Sequence, residues 1–96
     1  MKYNESTINY IKLLSKALAP MENFGGLQYI QDKHTGAEVV RVLDTLGNSF
    51  YLDVTSYDLE HILLDVFATV MGTAPASLIE DKRRRRALTA LLWEAI

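Results

Sequence analysis

Asp58, His61 and Asp65 fall three and four residues apart in SYDLEHILLDVF, a spacing that brings them to one face of a helix. An imidazole between two carboxylates can serve as a general base with an orienting acid, or as part of a metal site. One histidine and two aspartates fall short of the ligand set of a closed zinc site, so no metal is expected. The plainer reading makes the three the solvated face of an amphipathic helix. His34, beside Lys33 and Thr35, reads as an exposed turn residue. No P-loop, dinucleotide-binding, zinc-protease or nucleophile-elbow string occurs, and the two glycines of NFGGLQ lack a lysine or serine to complete a phosphate cradle. These absences argue against an enzyme and against a cofactor.

The second charged constellation is denser. Lys82, Arg83, Arg84, Arg85 and Arg86 run consecutively in IEDKRRRRALTALLWEAI. Three uses of such a run compete. It can be structural, with Glu80–Arg84 and Asp81–Arg85 as helical i,i+4 ion pairs and the arginine stems lying over apolar surface. It can be a protein interface, because arginine and tryptophan are enriched among interface hot spots, and Ile79, Arg86 and Trp93 recur every seven residues along one line of a helix. It can bind phosphates through counterion release.

These side chains need elements to hold them. Residues 4–19 read as a first helix, with Asn4 as N-cap, Tyr3 and Ile8 at staple spacing, and Ile8, Ile11, Leu14, Ala17 and Leu18 on one face. Pro20 stops it. NFGGLQ reads as a flexible connection. Leu27–Asp32, Glu38–Leu43 and Ser49–Val54 then read as strands, joined by a turn containing Gly36 and a hairpin signal at Gly47-Asn48. In the third strand Phe50, Leu52 and Val54 point one way, Tyr51 and Asp53 the other. Tyr29, Arg41 and Tyr51 are candidates to share the outer face, a set able to stack bases. Thr55 and Asp58 have capping-box spacing before a helix whose stripe of Leu59, Ile62, Leu63, Val66, Phe67, Val70 and Met71, widened by Leu64, suits a central helix packed on the sheet and on another helix. Gly72 suits its C′ position. Ser77 and Glu80 form a second capping-box pattern at the head of the last predicted helix. The expected fold is α+β in the order α-β-β-β-α-α, a three-stranded antiparallel meander packed against helices, in one domain spanning residues 1–96.

Composition bounds the function. The 96 residues are 49% hydrophobic and 23% charged, as in an ordinary globular domain, and there is no cysteine. Met1 is followed by Lys2, Tyr3, Asn4 and Glu5 rather than an apolar signal segment, and no apolar run approaches a membrane span, so a cytoplasmic location is expected. The net charge of −2 hides an asymmetry. Residues 1–81 carry five Lys/Arg against eleven Asp/Glu, a balance of −6; residues 82–96 carry five against one, a balance of +4. Such a segment either engages a partner or folds back on its own acidic body.

The order α-β-β-β-α over residues 4–72 resembles that of the double-stranded RNA-binding domain. Where such domains carry lysines at the start of the second helix, this chain has Asp58 and Glu60, so the resemblance is one of topology alone. Arg41 is the only cation inside the predicted strands, which argues against DNA-binding modules that use the sheet. The reading that emerges is a small non-catalytic protein-interaction module. It is of the size of adaptors and small inhibitors, phage-encoded ones among them, and engages a partner protein or a second copy of itself, as in a homodimer, through Ile79, Lys82–Arg86 and Trp93. The alternative is a nucleic-acid-associated protein contacting phosphates through Lys82–Arg86.

Overall fold

The computed structural model describes residues 5–32 and 34–89, with the side chains of Leu88 and Thr89 excepted. Asn4, Tyr3 and Trp93 therefore lie outside the described residues. Helix α1, Glu5–Leu18, buries Thr7, Ile11, Leu14 and Leu18, a three-to-four residue recurrence that lays one stripe on the sheet. Glu5 in its first turn and Lys16 in its last both suit the helix dipole. Ahead of β1, Met21 N–H donates to the Leu18 carbonyl at 2.9 Å, closing a turn around Pro20.

Three strands follow: β1, Phe24–Gln31; β2, Glu38–Asp44; and β3, Ser49–Asp53. They form one antiparallel sheet in sequence order. Strand β1 begins earlier than expected, because Gly25 and Gly26 belong to it rather than to a flexible connection. A Cβ at Gly25 would stand 2.5 Å from the Asp44 carbonyl oxygen. The pair lets β1 pass the end of β2 through a bulge between Phe24 and Gly26. The β2–β3 turn is not a two-residue one at Gly47-Asn48. Asp44 pairs across it with Asn48, and the Asp44 carboxylate accepts from the Leu46 and Asn48 backbone N–H groups and from the Asn48 side chain. Gly47 takes the left-handed φ of 88° that such a loop requires.

Register sorts the side chains. Tyr29 pairs with Val40, which pairs with Leu52; Gln28 pairs with Arg41, which pairs with Tyr51. Tyr29, Val40, Val42, Leu52 and Val54 thus join Ile11, Leu14 and Leu18 of α1 in the main core. Helix α2, Leu59–Val70, adds Ile62 and Val66 to that core. Tyr29 is therefore a core residue, and the expected Tyr29–Arg41–Tyr51 set does not form: strand parity sends only Arg41 and Tyr51 to the outer face.

Asp58, not Thr55, caps α2: its Oδ1 accepts from His61 N–H at 2.8 Å. Thr55 is occupied elsewhere, its Oγ1 donating to Asp53 Oδ1 at 2.6 Å and accepting from Glu38 N–H at 3.0 Å. At the other end Gly72 has φ 86°, Thr73 N–H donates to Ala68 O and Gly72 N–H to Thr69 O, a Schellman closure at the expected C′ glycine.

The last helix differs most from expectation. It spans Lys82–Thr89 as far as the description reaches, and the Ser77–Glu80 capping box does not form. Residues 77–79 instead bridge the free edge of β3: Leu78 pairs with Leu52, Asp53 N–H donates to Ser77 O, and Ile79 N–H donates to Tyr51 O. Strand edges leave backbone groups unpaired, and this segment satisfies two of them while burying Ile79. Asp81 then takes the capping role, its Oδ1 accepting from Arg83 N–H at 2.9 Å and its carbonyl from Arg85 N–H at 3.0 Å. No described helix is long and apolar enough to cross a membrane.

Candidate interaction surface

The outer sheet face is built in two parts. Ile30, Val39 and Tyr51 form a small second core, closed by Ile79, which is 4% exposed. Ile79 was expected on an exposed helical line with Arg86 and Trp93. Ile79 takes no part in such a line, because it precedes the helix and its side chain is spent on its own sheet. Beside this core lies a polar set. Arg41 donates through Nε and Nη2 to Ser49 Oγ at 3.1 and 2.9 Å, and through Nη1 to Gln28 Oε1 at 3.0 Å. Its guanidinium carbon stands 5.8 Å from the centre of the Tyr51 ring.

Helix α3 approaches this face with its cations spread around its circumference. Arg84 reaches Asp53 and forms an ion pair with it, replacing the expected Glu80–Arg84 pair. Asp53 feels opposing influences: desolvation raises its pKa, while hydrogen bonds from the Thr55 hydroxyl and backbone, and then the Arg84 guanidinium, lower it further, leaving the carboxyl below its ordinary 3.8. Arg85 is partly buried and lines the hollow against Ser49 and Tyr51 together with Lys82 and Arg86. Lys82, Arg83 and Arg86 are exposed. Among the described residues, the side chains of these three make no ion pair.

The Asp58–His61–Asp65 set is only partly assembled. His61 Nδ1 lies 2.8 Å from Asp58 Oδ1, and the Tyr57 ring packs edge-on against the imidazole with centroids 5.7 Å apart. The backbone N–H of His61, then its ring, hold the Asp58 carboxyl below its ordinary value. Asp65 points elsewhere: its Oδ2 accepts the Ser77 hydroxyl at 2.5 Å, tying α2 to the segment that edges β3. Two members are a helix cap and its exposed neighbour, and the third is a structural acceptor. Among the described residues no three His, Asp or Glu side chains gather as metal ligands. His34 sits in a turn whose Asp32 carboxylate accepts from the His34 backbone N–H and the Thr35 hydroxyl.

A further surface was hidden in the sequence. Leu64, Phe67 and Met71, read as part of the buried stripe or its margin, share an exposed face of α2, with Met71 at 61%. Leu59 is exposed too, and Leu13 on α1 stands 66% exposed. The apolar arc of α2 is wider than the sheet and α1 can cover; that width was its only signal. No family model, curated protein or solved structure matches the chain.

Proposed function

We propose that this protein is a small, non-catalytic interaction module of the cytoplasm that docks an acidic surface of a partner protein against the head of α3. One observation carries the reading. Lys82, Arg83 and Arg86 are exposed and without ion partners among the described residues, and Lys82 and Arg83 stand in the first turn, at the positive end of a helix dipole. Each cation so placed costs roughly 0.3–1 kcal/mol. Carboxylates delivered by a partner relieve that cost, so binding energy is stored in the free protein. Ile79 belongs to the scaffold in this reading, and Arg84 to the anchor that fixes α3 on Asp53.

Nucleic acid is the second reading, favoured by the gathering of Tyr51, Lys82, Arg85 and Arg86 at one hollow. The −6 balance of residues 1–81 opposes it. Fluorescence anisotropy with a labelled glutamate-rich peptide and with labelled duplex DNA and RNA separates the two. The expected result is micromolar-range peptide binding, weak duplex binding, and loss of the peptide in a Lys82→Glu, Arg83→Glu, Arg86→Glu variant that remains folded. Duplex binding stronger than peptide binding, with affinity falling steeply with salt, replaces the first reading by the second. Sedimentation of the wild type in low salt tests whether the acidic partner is a second copy: a dimer abolished by the triple variant assigns it so. A monomer that ignores peptide and duplex alike overturns both readings.

A further inference from the structure

The hollow between α3 and β3 has a volume of about 310 Å³ and is lined by Ser49, Tyr51, Lys82, Arg85 and Arg86. Its chemistry is more specific than a basic patch. Ser49 Oγ accepts two N–H groups from the Arg41 guanidinium, on Nε and Nη2. A hydroxyl oxygen loaded in this way keeps its own proton to donate, and the neighbouring cation polarises that proton. The serine hydroxyl is held in place because Arg41 is itself fixed, by Gln28 on one side and by stacking against Tyr51 on the other. Lys82 and Arg86, four residues apart, project from one side of α3 toward the same hollow.

We infer that this hollow seats a phosphate monoester carried on a segment of the partner protein. The inference rests on the reading of α3 as a docking face and names the group it takes. A carboxylate offers two oxygens in one plane. A phosphate monoester offers three strong acceptors and a charge of about −1.5 to −2. Donors here come from separate directions: Ser49 from the strand, Lys82 and Arg86 from the helix. That arrangement suits the tetrahedral group. A planar guanidinium, available from Arg86, grips two phosphate oxygens together. The surroundings favour one local anion over a polyanion. Glu80 lines the adjoining hollow with Ser49, Tyr51 and Arg85, and Asp81 and Asp53 flank the helix start. Phosphates spaced along a nucleic acid would meet these carboxylates.

The test uses the full chain and four labelled probes: a short peptide with one phosphoserine, the same peptide with serine, the same with glutamate, and a duplex RNA. Inorganic phosphate serves as competitor and, by calorimetry, as a ligand alone. Charge-assisted hydrogen bonds to the added oxygens predict phosphopeptide binding at least about tenfold tighter than the glutamate twin. Ser49→Ala is expected to lower phosphopeptide affinity by about three- to tenfold, the value of one hydrogen bond, with the glutamate peptide unchanged and Ser49→Thr restoring the preference. Arg83→Ala, outside the hollow, should leave the ratio of the two peptides unchanged. Circular dichroism confirms that each variant is folded. Equal affinity for phosphorylated and glutamate peptides, or a phosphate preference that survives both Ser49→Ala and Lys82→Ala with Arg86→Ala, overturns the seat while the docking face stands. Inorganic phosphate binding as tightly as the phosphopeptide overturns the protein-borne source, and duplex RNA binding more tightly overturns it in favour of a polyanion. Failure of every peptide to bind removes the docking face itself.

Discussion

Reversing the charge of Lys82 should make the protein more stable and less able to bind. Lys82 opens α3, where the dipole disfavours a cation by about 0.3–1 kcal/mol, so Lys82→Glu reverses that sign and gains about twice as much. It also stands four residues before Arg86. There a glutamate converts a repulsive pair into an attractive one in the favoured orientation, for a further ~0.4–1 kcal/mol. Screening at physiological salt reduces both contributions at an exposed site, leaving an expected gain of about 1–2 kcal/mol. The assay is native-state hydrogen exchange at the Arg85 amide, which donates to the Asp81 carbonyl across the first turn. Its exchange should slow by about 5- to 30-fold, the population change that such an energy produces, with less effect in 1 M salt. Acidic-peptide binding should fall in the same variant. Unchanged or faster exchange would refute the reasoning, for it would mean that Lys82 is neutralised within its own subunit and contributes to the fold.

The remaining expectations concern the scaffold. Asp53→Asn removes the ion partner of Arg84 while its amide oxygen still accepts from Thr55, and should destabilise by roughly 1 kcal/mol in chemical denaturation, a modest figure because the pair is partly exposed. Gly25→Ala places a Cβ 2.5 Å from the Asp44 carbonyl oxygen, a backbone atom that cannot step aside, and should lower stability by at least about 1–3 kcal/mol, visible as a lower Tm. Acid should unfold the protein in a definite window. Asp32, Asp44, Asp53 and Asp58 all titrate below their ordinary 3.8 in the folded state. Near that pH the unfolded chain binds more protons than the folded one, so stability is fully present above the unfolded value and declines as pH falls through the folded values. A pH titration of Tm should be level from about pH 5 upward on this account and fall steeply below about 4.

Where local pattern and tertiary demand agree, the fold is legible in the residues. The alternation of Phe50, Leu52 and Val54 marks the inner face of β3 because strand parity leaves no other option once one face is buried. Gly72 ends α2 because a left-handed C′ residue is a local requirement. Two of the misreadings share one cause, a distant backbone group that no local window contains. Ser77-x-x-Glu80 is a sound helix-start pattern, yet β3 offers the Asp53 N–H and the Tyr51 carbonyl, and Asp65 takes the Ser77 hydroxyl. Gly25 and Gly26 look like a loop until the Asp44 carbonyl is seen passing close by. At the site, the cationic run was plain from its charge. Its partners Ser49 and Arg41 were not, because they come from strands more than 30 residues earlier and meet it only through the register that sets Arg41 opposite Tyr51.

Helical geometry explains why the carboxylate that docks the basic helix does not also take up Lys82 and Arg86. With about 100° between successive residues, Lys82 and Arg86 lie close together and nearly half a turn round from Arg84. The contact that docks α3, Arg84 on Asp53, therefore turns Lys82 and Arg86 away from that carboxylate. Asp81, the nearest acid in sequence, is committed to the Arg83 backbone N–H as the helix cap. Asp65 is committed to Ser77, and Asp58 to His61. The late start of the helix matters here. Had it begun at Ala76 or Ser77, the five cations would occupy middle turns, where the dipole exerts little force and Glu80 could pair with Arg84. Pairing of residues 77–79 with β3 shortens the helix and so moves the first of the cations, Lys82 and Arg83, to its positive end. The edge contact that completes the sheet is thus the same contact that leaves Lys82, Arg83 and Arg86 without ion partners among the described residues, and a basic surface held in that state by the fold is suited to an anion from outside.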